Sequence, residues 1–409
     1  MAKRRAAALA LATVLFVGLA LPAHAQDVQA GRFALGQFDV PCRAAILIDQ
    51  ESGTVLYEKE ADTRMPIASI TKVMTLLLVM EGLEEGRFTL EDTVPVTEHA
   101  YSMGGSQIWL EPGEQFTVDE MLRAVCVASA NDAAVALAEM VGGSEPVFVE
   151  QMNRKAAQLG MTGTVFKNAC GLDEEGHLST ARDVAIMSRE MLNRHPQILN
   201  YTSIWTDSLR DGQTQLVNTN KLLRRYQGIT GLKTGTTGGA GVCLSASATR
   251  DGLSLIAVVL GASSSAERFD AATALLDYGF ANFTRVEAPA PENAPSFLPV
   301  NGGAQETVAL NYQTPGTILL QKGEEGGLRA ALELTENTEA PVAVGDEVGR
   351  VTVYVGETGL GSWPWNGCGR AFWHIEKICG KRPPGKSVSS TFPGGLILWE
   401  IFVRTVCCP

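Results

Sequence analysis

Two residues near the start of a long apolar run have the types and spacing for nucleophilic chemistry. Ser69 and Lys72 stand three positions apart, just before the largely apolar residues 73–80. A serine hydroxyl is a weak nucleophile near neutral pH and needs a base, and lysine can be that base only where burial or like charge lowers its pKa. A predicted helix beginning at Pro66 would place both side chains on one face. Because this spacing also recurs by chance, the pair needs support from elsewhere.

A second candidate cluster combines a hydroxyl and a carboxamide two residues apart. Ser129 and Asn131 lie between two apolar segments that predict helices, at 118–127 and 132–141. In a purely structural role, Ser129 is a helix N-cap. In a functional role, the pair suits proton relay and the binding of a substrate amide. The residues by themselves leave both interpretations open.

A third cluster precedes a predicted strand that begins at Gly241. Lys233, Thr234, Gly235 and Thr236 stand at a strand end or sheet edge. One interpretation is a flexible turn. The other is a binding site in which the lysine supplies positive charge, the threonine hydroxyl donates to a carboxylate, and the glycine allows a ligand backbone to approach closely. The spacing of a phosphate-binding loop is absent.

Hydrophobic patterning predicts the elements that must position these clusters. The predicted strands are 45–49, 53–57, 241–248 and 253–260. Besides the first helix, the predicted helices are 118–127, 132–141, 146–159, 180–192 and 266–280. Strands on both sides of a helical stretch predict an α+β domain, at 26–283, whose sheet is completed from both ends of the segment. Prolines predict a linker at 284–299, and short apolar runs between glycine-rich turns predict a small all-β domain, β-sandwich-like, at 300–358.

Residues 1–25 have the pattern of a signal peptide. Positive residues at 3–5 precede a nearly continuous apolar stretch at 6–21, and Ala23, His24 and Ala25 fit a small-x-small cleavage site. We expect cleavage after Ala25; the alternative is an uncleaved signal anchor, which Pro22 disfavours. The predicted location is therefore outside the cytoplasm, at the outer face of the cytoplasmic membrane or in the cell-wall space. A formal net charge of −12 over 409 residues argues against nucleic acid as a partner.

The cysteines fall into two groups, one scattered through the chain and one in the C-terminal tail. Cys42, Cys126, Cys170 and Cys243 are scattered singly and predict free thiols. Residues 359–409 contain four of the six tryptophans and the other four cysteines. The apolar residues 396–403 are too short to span a bilayer, and two alternatives stay open: a weak anchor at the membrane surface, or an end without a role, such as a shifted reading frame produces. The spacing of Cys368, His374 and Cys379 is poor for a metal site, so none is predicted.

The three clusters, in this order, are the set found in penicillin-binding proteins and serine β-lactamases. The chain resembles the low-molecular-mass penicillin-binding proteins, specifically the D-alanyl-D-alanine carboxypeptidases, continuously from about residue 40 to 283. Further matching stretches are Gly104-Gly105-Ser106, Ser129-Ala130-Asn131-Asp132 and His177-Leu178-Ser179-Thr180-Ala181. The resemblance implies a β-lactamase/transpeptidase-like fold, an antiparallel sheet with a helical cluster, and it implies that residues 300–357 are the family's small C-terminal β domain.

The resemblance also implies a mechanism and a set of roles. Ser69 attacks the D-Ala-D-Ala peptide bond of a peptidoglycan stem peptide, Lys72 takes its proton, and Ser129 relays a proton to the departing D-alanine. The implied substrate-binding residues are Asn131, Lys233, Thr234, Gly235, Thr236 and Arg268, with the backbone N–H groups of Ser69 and Thr236 as the oxyanion hole. For Arg268 a solvated cation at a helix start is the alternative. Water hydrolyses the acyl-enzyme, β-lactams acylate the same serine, and no metal or organic cofactor is implied.

Three other functions compete with this one. A β-lactamase of the commonest class needs a glutamate-positioned water, but no convincing Glu-x-x-x-Asn loop lies between Asn131 and Lys233, and the second domain is foreign to those enzymes. A D,D-endopeptidase that cuts peptidoglycan cross-links is closer, and the motifs do not separate it from a carboxypeptidase. A non-catalytic peptidoglycan- or penicillin-binding protein is disfavoured by the intact Ser69, Lys72 and Lys233.

Overall fold

The structure, a computed structural model, describes residues 32–312 and 316–367. The predicted signal peptide and residues 368–409 of the tail lie outside the described residues. The chain forms two compact units. Of the described residues, the first unit takes 32–294, 316–333 and 350–363, and the second takes 295–312, 334–349 and 364–367. None of the helices within the described ranges is both long and apolar enough to cross a membrane.

Among the residues that the structure describes, strands occur in both units and the helices all lie in the first. The strands are β1 (Ala44–Asp49), β2 (Val55–Lys59), β3 (Thr93–Val94), β4 (Phe116–Thr117), β5 (Thr206–Leu209), β6 (Thr214–Val217), β7 (Ile229–Thr237), β8 (Gly241–Arg250), β9 (Leu253–Ala262), β10 (Phe283–Glu287), β11 (Phe297–Asn301), β12 (Thr307–Tyr312), β13 (Thr317–Gln321), β14 (Leu328–Leu334), β15 (Thr338–Glu339), β16 (Glu347–Val355) and β17 (Thr358–Gly367). The helices are α1 (Lys72–Glu84), α2 (Glu98–Tyr101), α3 (Val118–Arg123), α4 (Asn131–Gly142), α5 (Glu145–Gln158), α6 (Ala181–Arg194), α7 (Leu199–Thr202) and α8 (Ser265–Asn282).

A five-stranded antiparallel sheet organises the first unit. Its strand order is β2-β1-β9-β8-β7, so strands from both ends of the helical stretch complete one sheet, as predicted. Alternate residues of β1 face opposite sides of the sheet. Ile46 and Ile48 pack into the cluster that contains the buried faces of α1, α4 and α6, whereas Ala45 and Leu47 pack on the side covered by α8. The α+β prediction is confirmed.

The helix that carries the first cluster differs from its prediction at its start. Residues Ala68–Thr71 form a 3-10 helix, and α1 begins only at Lys72; Pro66 lies before both. Every residue of α1 from Lys72 to Met80 is buried, because neighbouring elements cover this part of the helix on all sides. A helix in such a position has no polar face turned to solvent. The predicted helix at 118–127 also changes form: α3 ends at Arg123, and Ala124–Ala128 is a π-helix.

The C-terminal strands modify two predicted boundaries. The predicted linker at 284–299 contains most of β10 and the start of β11, since three of its four prolines fall between these strands, where no ladder N–H is required. Strand β17 extends to Gly367, nine residues past the predicted limit of the small domain, and its last residues pair with β12. In the second unit β11 also pairs antiparallel with β12 and parallel with β15.

The four cysteines of the body are free thiols, which confirms that prediction. Cys126, Cys170 and Cys243 are buried, and Cys42 is half-buried. Burial raises the pKa of Cys126 to about 12 and that of Cys243 to about 11. These thiols are therefore protonated near neutral pH and pack as small apolar groups.

Candidate active site

Ser69 and Lys72 meet because of the 3-10 helix that precedes α1. A 3-10 helix has three residues per turn, so side chains at i and i+3 lie above one another. Lys72 Nζ lies 2.9 Å from Ser69 Oγ. The two side chains are thus brought together as the spacing predicted, by a tighter turn than the predicted α-helix.

The Lys72 ammonium group is fully buried and has three acceptors. Besides Ser69 Oγ, its Nζ donates to Asn131 Oδ1 at 2.6 Å and to the carbonyl oxygen of Cys170 at 2.7 Å. Burial lowers the pKa of Lys72 to about 8, against weaker raising effects from Cys170 and Asp132. A neutral lysine keeps two N–H groups, which suffices for Asn131 and Cys170. Its lone pair then faces the Ser69 hydroxyl, which is the geometry of a general base.

The π-helix delivers Ser129 and Asn131 to the same place. It ends at Ala128 and is followed by Ser129, whose backbone is left-handed with φ of 61°; α4 begins two residues later at Asn131. Single-turn π segments and left-handed non-glycine residues concentrate at functional sites. The Asn131 amide nitrogen donates to the Gly104 carbonyl at 2.6 Å, so the amide is oriented with its oxygen toward Lys72.

The third cluster lies within β7, one of the two edge strands of the sheet. Lys233 Nζ donates to Ser129 Oγ at 2.8 Å and to the Thr234 carbonyl at 3.0 Å. Burial lowers the pKa of Lys233, and the nearby charges of Lys72 and Arg268 lower it further. Thr234 Oγ1 shares a hydrogen bond of 2.5 Å with Thr219 Oγ1. Because Ser129 Oγ accepts from Lys233, its own proton is available to a third group.

Gly235 marks the point where β7 crosses the turn that carries Ser69. A Cβ atom at Gly235 would lie 2.8 Å from the Ile67 carbonyl oxygen and 3.0 Å from the Ser69 nitrogen. The absence of a side chain therefore serves the approach of the chain's own backbone, in addition to the predicted approach of a ligand. Thr236, the next residue, is exposed. The strand end that carries it passes directly over the Ser69 backbone.

We expect Gly235→Ala to separate β7 from the Ser69 turn. Contacts under 3.0 Å to backbone atoms force a shift, and overpacking of this kind costs about 1–3 kcal/mol of stability. The variant should unfold at a lower temperature, and a fluorescent penicillin should acylate it more slowly than the wild type. Gly238→Ala is the matched control, since a Cβ atom there would meet nothing closer than 3.9 Å. Equal acylation rates for Gly235→Ala and the wild type would contradict the close-approach argument.

Arg268 is buried near the third cluster, so the alternative of a solvated cation is wrong. Its Nη1 donates to the carbonyls of Gly235 and Cys243, at 3.3 and 3.1 Å, and its Nη2 donates to Ser265 Oγ at 3.2 Å. Burial lowers the pKa of Arg268 to about 10. Its Nε atom is buried without a hydrogen-bond partner among the described residues. Arg268 therefore links β7 to β8 by a hydrogen bond to one backbone carbonyl on each strand.

The sequence did not reveal a role for the loop that supplies the Cys170 carbonyl to Lys72. It also gave no role to His177, whose side chain holds this loop in place. His177 Nδ1 accepts from the Lys167 N–H at 3.3 Å, so the ring proton is on Nε2, which then donates to Thr71 Oγ1 at 2.8 Å. Burial lowers the pKa of His177 to about 4, and the ring is neutral at pH 7. His177 thus ties the loop to the turn between Ser69 and Lys72. The stretch His177–Ala181 carried the signal, as part of the resemblance.

Glycine and aspartate residues hold the same loop in place. A Cβ atom at Gly171, whose φ is 83°, would lie 2.0 Å from the Ala68 carbonyl oxygen. On the other side of the loop, Asp173 accepts from Thr237 Oγ1 at 2.6 Å and from the Gly239 N–H at 3.0 Å. The loop therefore bridges the Ser69 turn and the end of β7. Within the described ranges, no group of three His, Cys, Asp or Glu residues could hold a metal ion.

This geometry can be compared with known proteins. The D-alanyl-D-alanine carboxypeptidase family matches residues 31–264, which include every residue of the site except Arg268. The chain belongs to this family. The C-terminal domain of penicillin-binding protein 5 matches residues 292–365, so similarity continues seven residues past the predicted limit of 358. The resemblance inferred from the sequence is confirmed, and with it the assignment of the chain to the serine carboxypeptidases.

Curated relatives and solved structures agree with the family assignment. The chain is 43% identical to the D-alanyl-D-alanine carboxypeptidase DacF of Bacillus subtilis over 76% of this chain and 81% of that protein. It is 36% identical to DacC of Escherichia coli over 76% of this chain and 80% of that one. Penicillin-binding protein 5 from Haemophilus influenzae superposes with a TM-score of 0.72 at 31% identity, covering 83% of this chain and all of that one. The predicted fold class is confirmed.

Proposed function

We propose that this family member is a serine-type D-Ala-D-Ala carboxypeptidase that removes the terminal D-alanine from peptidoglycan stem pentapeptides through an acyl-enzyme on Ser69. The observation that carries the proposal is the buried Lys72, which contacts Ser69 Oγ at 2.9 Å and has its remaining donors engaged. β-Lactams are inhibitors in this proposal, because they acylate the same hydroxyl and leave slowly.

Acylation begins with proton transfer from Ser69 Oγ to Lys72 Nζ. Asn131 Oδ1 and the Cys170 carbonyl hold the amine so that its lone pair faces the hydroxyl. The serine oxygen attacks the carbonyl carbon of the bond between the two D-alanines. Negative charge develops on the carbonyl oxygen, and the backbone N–H groups of Ser69 and Thr236 stabilise it. The close approach of β7 to Ser69 supports this pair. A Cβ atom added at Gly235, the residue before Thr236, would lie 3.0 Å from the Ser69 nitrogen.

Departure of D-alanine requires a proton on its nitrogen. Ser129 is placed to give one, because its Oγ accepts a hydrogen bond from Lys233 Nζ and keeps its own proton for donation. The leaving amine takes the Ser129 proton, and the proton that Lys72 accepted from Ser69 replaces it on Ser129, which leaves Lys72 neutral again. Water then attacks the ester with Lys72 again as the base, which releases the shortened peptide and restores the Ser69 hydroxyl.

Binding of the terminal carboxylate falls to Lys233 and Thr234. The lysine supplies positive charge in a buried site, and the threonine hydroxyl can donate to a carboxylate oxygen. Arg268 adds positive charge behind the strand, although its guanidinium is already engaged by two backbone carbonyls. A substrate lacking this carboxylate would leave the cations without a counter-charge. The D-configured residue on the leaving side of a D,D-cross-link also carries a carboxylate, so the release of D-alanine is what separates a carboxypeptidase from a D,D-endopeptidase.

The decisive experiment for this proposal is D-alanine release. The purified chain without residues 1–25 should release one D-alanine per stem pentapeptide and should not cut a D,D-cross-linked dimer at a comparable rate. Faster cleavage of the dimer would identify an endopeptidase, and rapid turnover of benzylpenicillin would identify a β-lactamase. Labelling by penicillin without turnover of any of these substrates would identify a binding protein.

The proposed working location is outside the cytoplasmic membrane, on the strength of the signal-peptide pattern at residues 1–25. Anchoring of residues 359–409 at the membrane surface stays a prediction, since most of this tail lies outside the described residues. Strand β17 takes up residues 359–367 of the tail, so the prediction of a tail anchor now concerns residues 368–409.

A further inference from the structure

Trp109 combines a strained backbone with an exposed side chain. Its φ is 59°, in the left-handed region, where a bulky residue is a conformational outlier. The side chain is 72% exposed, whereas its neighbours Ile108 and Leu110 are buried. Isolated apolar residues on a surface are ordinary, but a strained one is not. Such strain persists only where surrounding contacts over-determine the backbone, and it concentrates at functional sites.

The contacts that hold Trp109 in this conformation are hydrogen bonds between charged side chains and the backbone on both sides of it. The buried Asp132 carboxylate accepts from the N–H groups of Ile108, at 3.1 Å, and Leu110, at 3.1 Å. Arg210 donates to the carbonyls of Ile108, at 2.8 Å, and Trp109, at 3.0 Å. Both neighbours are thereby turned inward, and the indole is forced out into solvent.

The same segment forms one wall of the active site. Asn131, which binds Lys72, donates its backbone N–H to the Ser106 carbonyl at 2.7 Å and its amide N–H to the Gly104 carbonyl. Asp132, the next residue, holds the backbone around Trp109. Asn131, which helps to orient the catalytic lysine, and Asp132, which helps to present the indole, are therefore consecutive in the chain.

Distance along the chain limits what the indole can touch. Trp109 is three residues from Ser106, so their Cα atoms are at most ~11 Å apart. Between residues 104 and 110, the indole is the only large apolar surface that is exposed, since Gly104 and Gly105 have no side chains. In the proposed binding mode Asn131, which contacts this segment, holds the peptide chain, so the stem-peptide residue just before the two D-alanines is the part of the substrate that would face the indole. The glycan strand is attached at the far end of the stem peptide and is more distant.

We propose that Trp109 is a specificity-determining subsite that packs against the aliphatic side chain of the stem-peptide residue preceding D-Ala-D-Ala. The inference rests on the proposed carboxypeptidase function. It adds that the enzyme selects substrates by the side chain of the residue before the two D-alanines. An indole face buries the methylene groups of a long side chain, and a glycine at the same substrate position offers none. Trp109 takes no part in bond breaking, and it acts through substrate binding.

The test compares two tripeptides, diacetyl-L-lysyl-D-Ala-D-Ala and acetyl-glycyl-D-Ala-D-Ala, by D-alanine release. The wild type should prefer the lysyl substrate by roughly tenfold in kcat/KM, mainly through KM, because a few methylene groups are buried. Trp109→Asn should bring this ratio close to one. Phe297→Thr, which changes another exposed aromatic residue, should keep the wild-type ratio. Persistence of the preference in Trp109→Asn overturns the proposal, as does a defect confined to disaccharide-linked pentapeptide.

Thermal unfolding separates binding from a structural role. Asparagine tolerates the left-handed conformation better than tryptophan, so the unfolding midpoint of Trp109→Asn, and of Trp109→Gly, should equal or exceed that of the wild type. A lower midpoint in both variants would show that the indole is structural and would overturn the proposal. If the wild type releases D-alanine from neither tripeptide nor from a pentapeptide, the proposed function itself has failed. Penicillin labelling of each variant shows whether its active site is assembled.

Discussion

Ser69→Ala will abolish covalent labelling by a fluorescent penicillin while leaving the fold intact. Only one oxygen is removed, from a 3-10 turn whose other contacts persist, so the change in unfolding free energy should be within about 1 kcal/mol. Without the hydroxyl no acyl-enzyme can form, and D-alanine release should fall to the background rate. Labelling is read on a gel, D-alanine release by an enzymatic assay, and the fold by circular dichroism.

The control for this substitution is another serine of the first unit. Ser203 is exposed at the end of α7, and its hydroxyl donates to the Leu199 carbonyl at 2.7 Å. Ser203→Ala should label like the wild type. Stoichiometric labelling of Ser69→Ala would move the nucleophile elsewhere and would dismantle the proposed mechanism.

Lys72→Arg is the second substitution with a very large expected effect. Arginine keeps the charge but cannot give up its proton near neutral pH, so no base remains beside Ser69 Oγ. Loss of a general base lowers rates by roughly 10²–10⁴-fold, and acylation by penicillin should slow by at least the lower figure. Because a guanidinium overfills this buried site, Lys72→Met provides a second variant of similar length and no charge. Lys221→Arg, at an exposed lysine, should acylate normally.

The pH dependence of acylation follows from the same lysine. Lys72 must be neutral to accept the serine proton, and burial lowers its pKa to about 8. Below this pH the neutral fraction falls about tenfold per pH unit, so the acylation rate of the wild type should rise from pH 6 toward 8 and then level off. The residual rate of Lys72→Met should lack this rise. A wild-type rate that is flat between pH 6 and 8 would contradict the assignment of Lys72 as the base.

Much of the first unit could be predicted from hydrophobic periodicity. Strands β1, β8 and β9 and helices α4, α5, α6 and α8 all appear close to their predicted ranges, since each has a long, regular apolar pattern. The β5–β6 hairpin was not predicted, because its four-residue strands are too short to show a pattern. The prolines at 289, 291 and 295 predicted an interruption of helical structure, but they did not predict the strands β10 and β11 on either side of them. They lie between two strands, where chain pairing with distant segments decides the structure.

The residues of the site could be named from their order in the chain, but their arrangement could not. The 3-10 turn at Ser69 and the π-helix before Ser129 are local deviations from α-helix, and they depend on tertiary contacts that no periodicity reports. The two most informative contacts of Lys72 after Ser69 join segments 59 and 98 residues apart. One of them is to a backbone carbonyl, that of Cys170, which has no sequence signature at all.

The central claim is that the acyl group is carried by Ser69, and peptide mass spectrometry of the penicillin-treated protein tests it most directly. Trypsin cuts after Arg64 and Lys72, which isolates Ser69 on a peptide of eight residues, Met65–Lys72. We predict that one penicilloyl group per chain is found on this peptide and that fragmentation places it on Ser69 rather than on Thr71. An adduct on the peptide containing Ser129, or on any residue other than Ser69, would contradict the account.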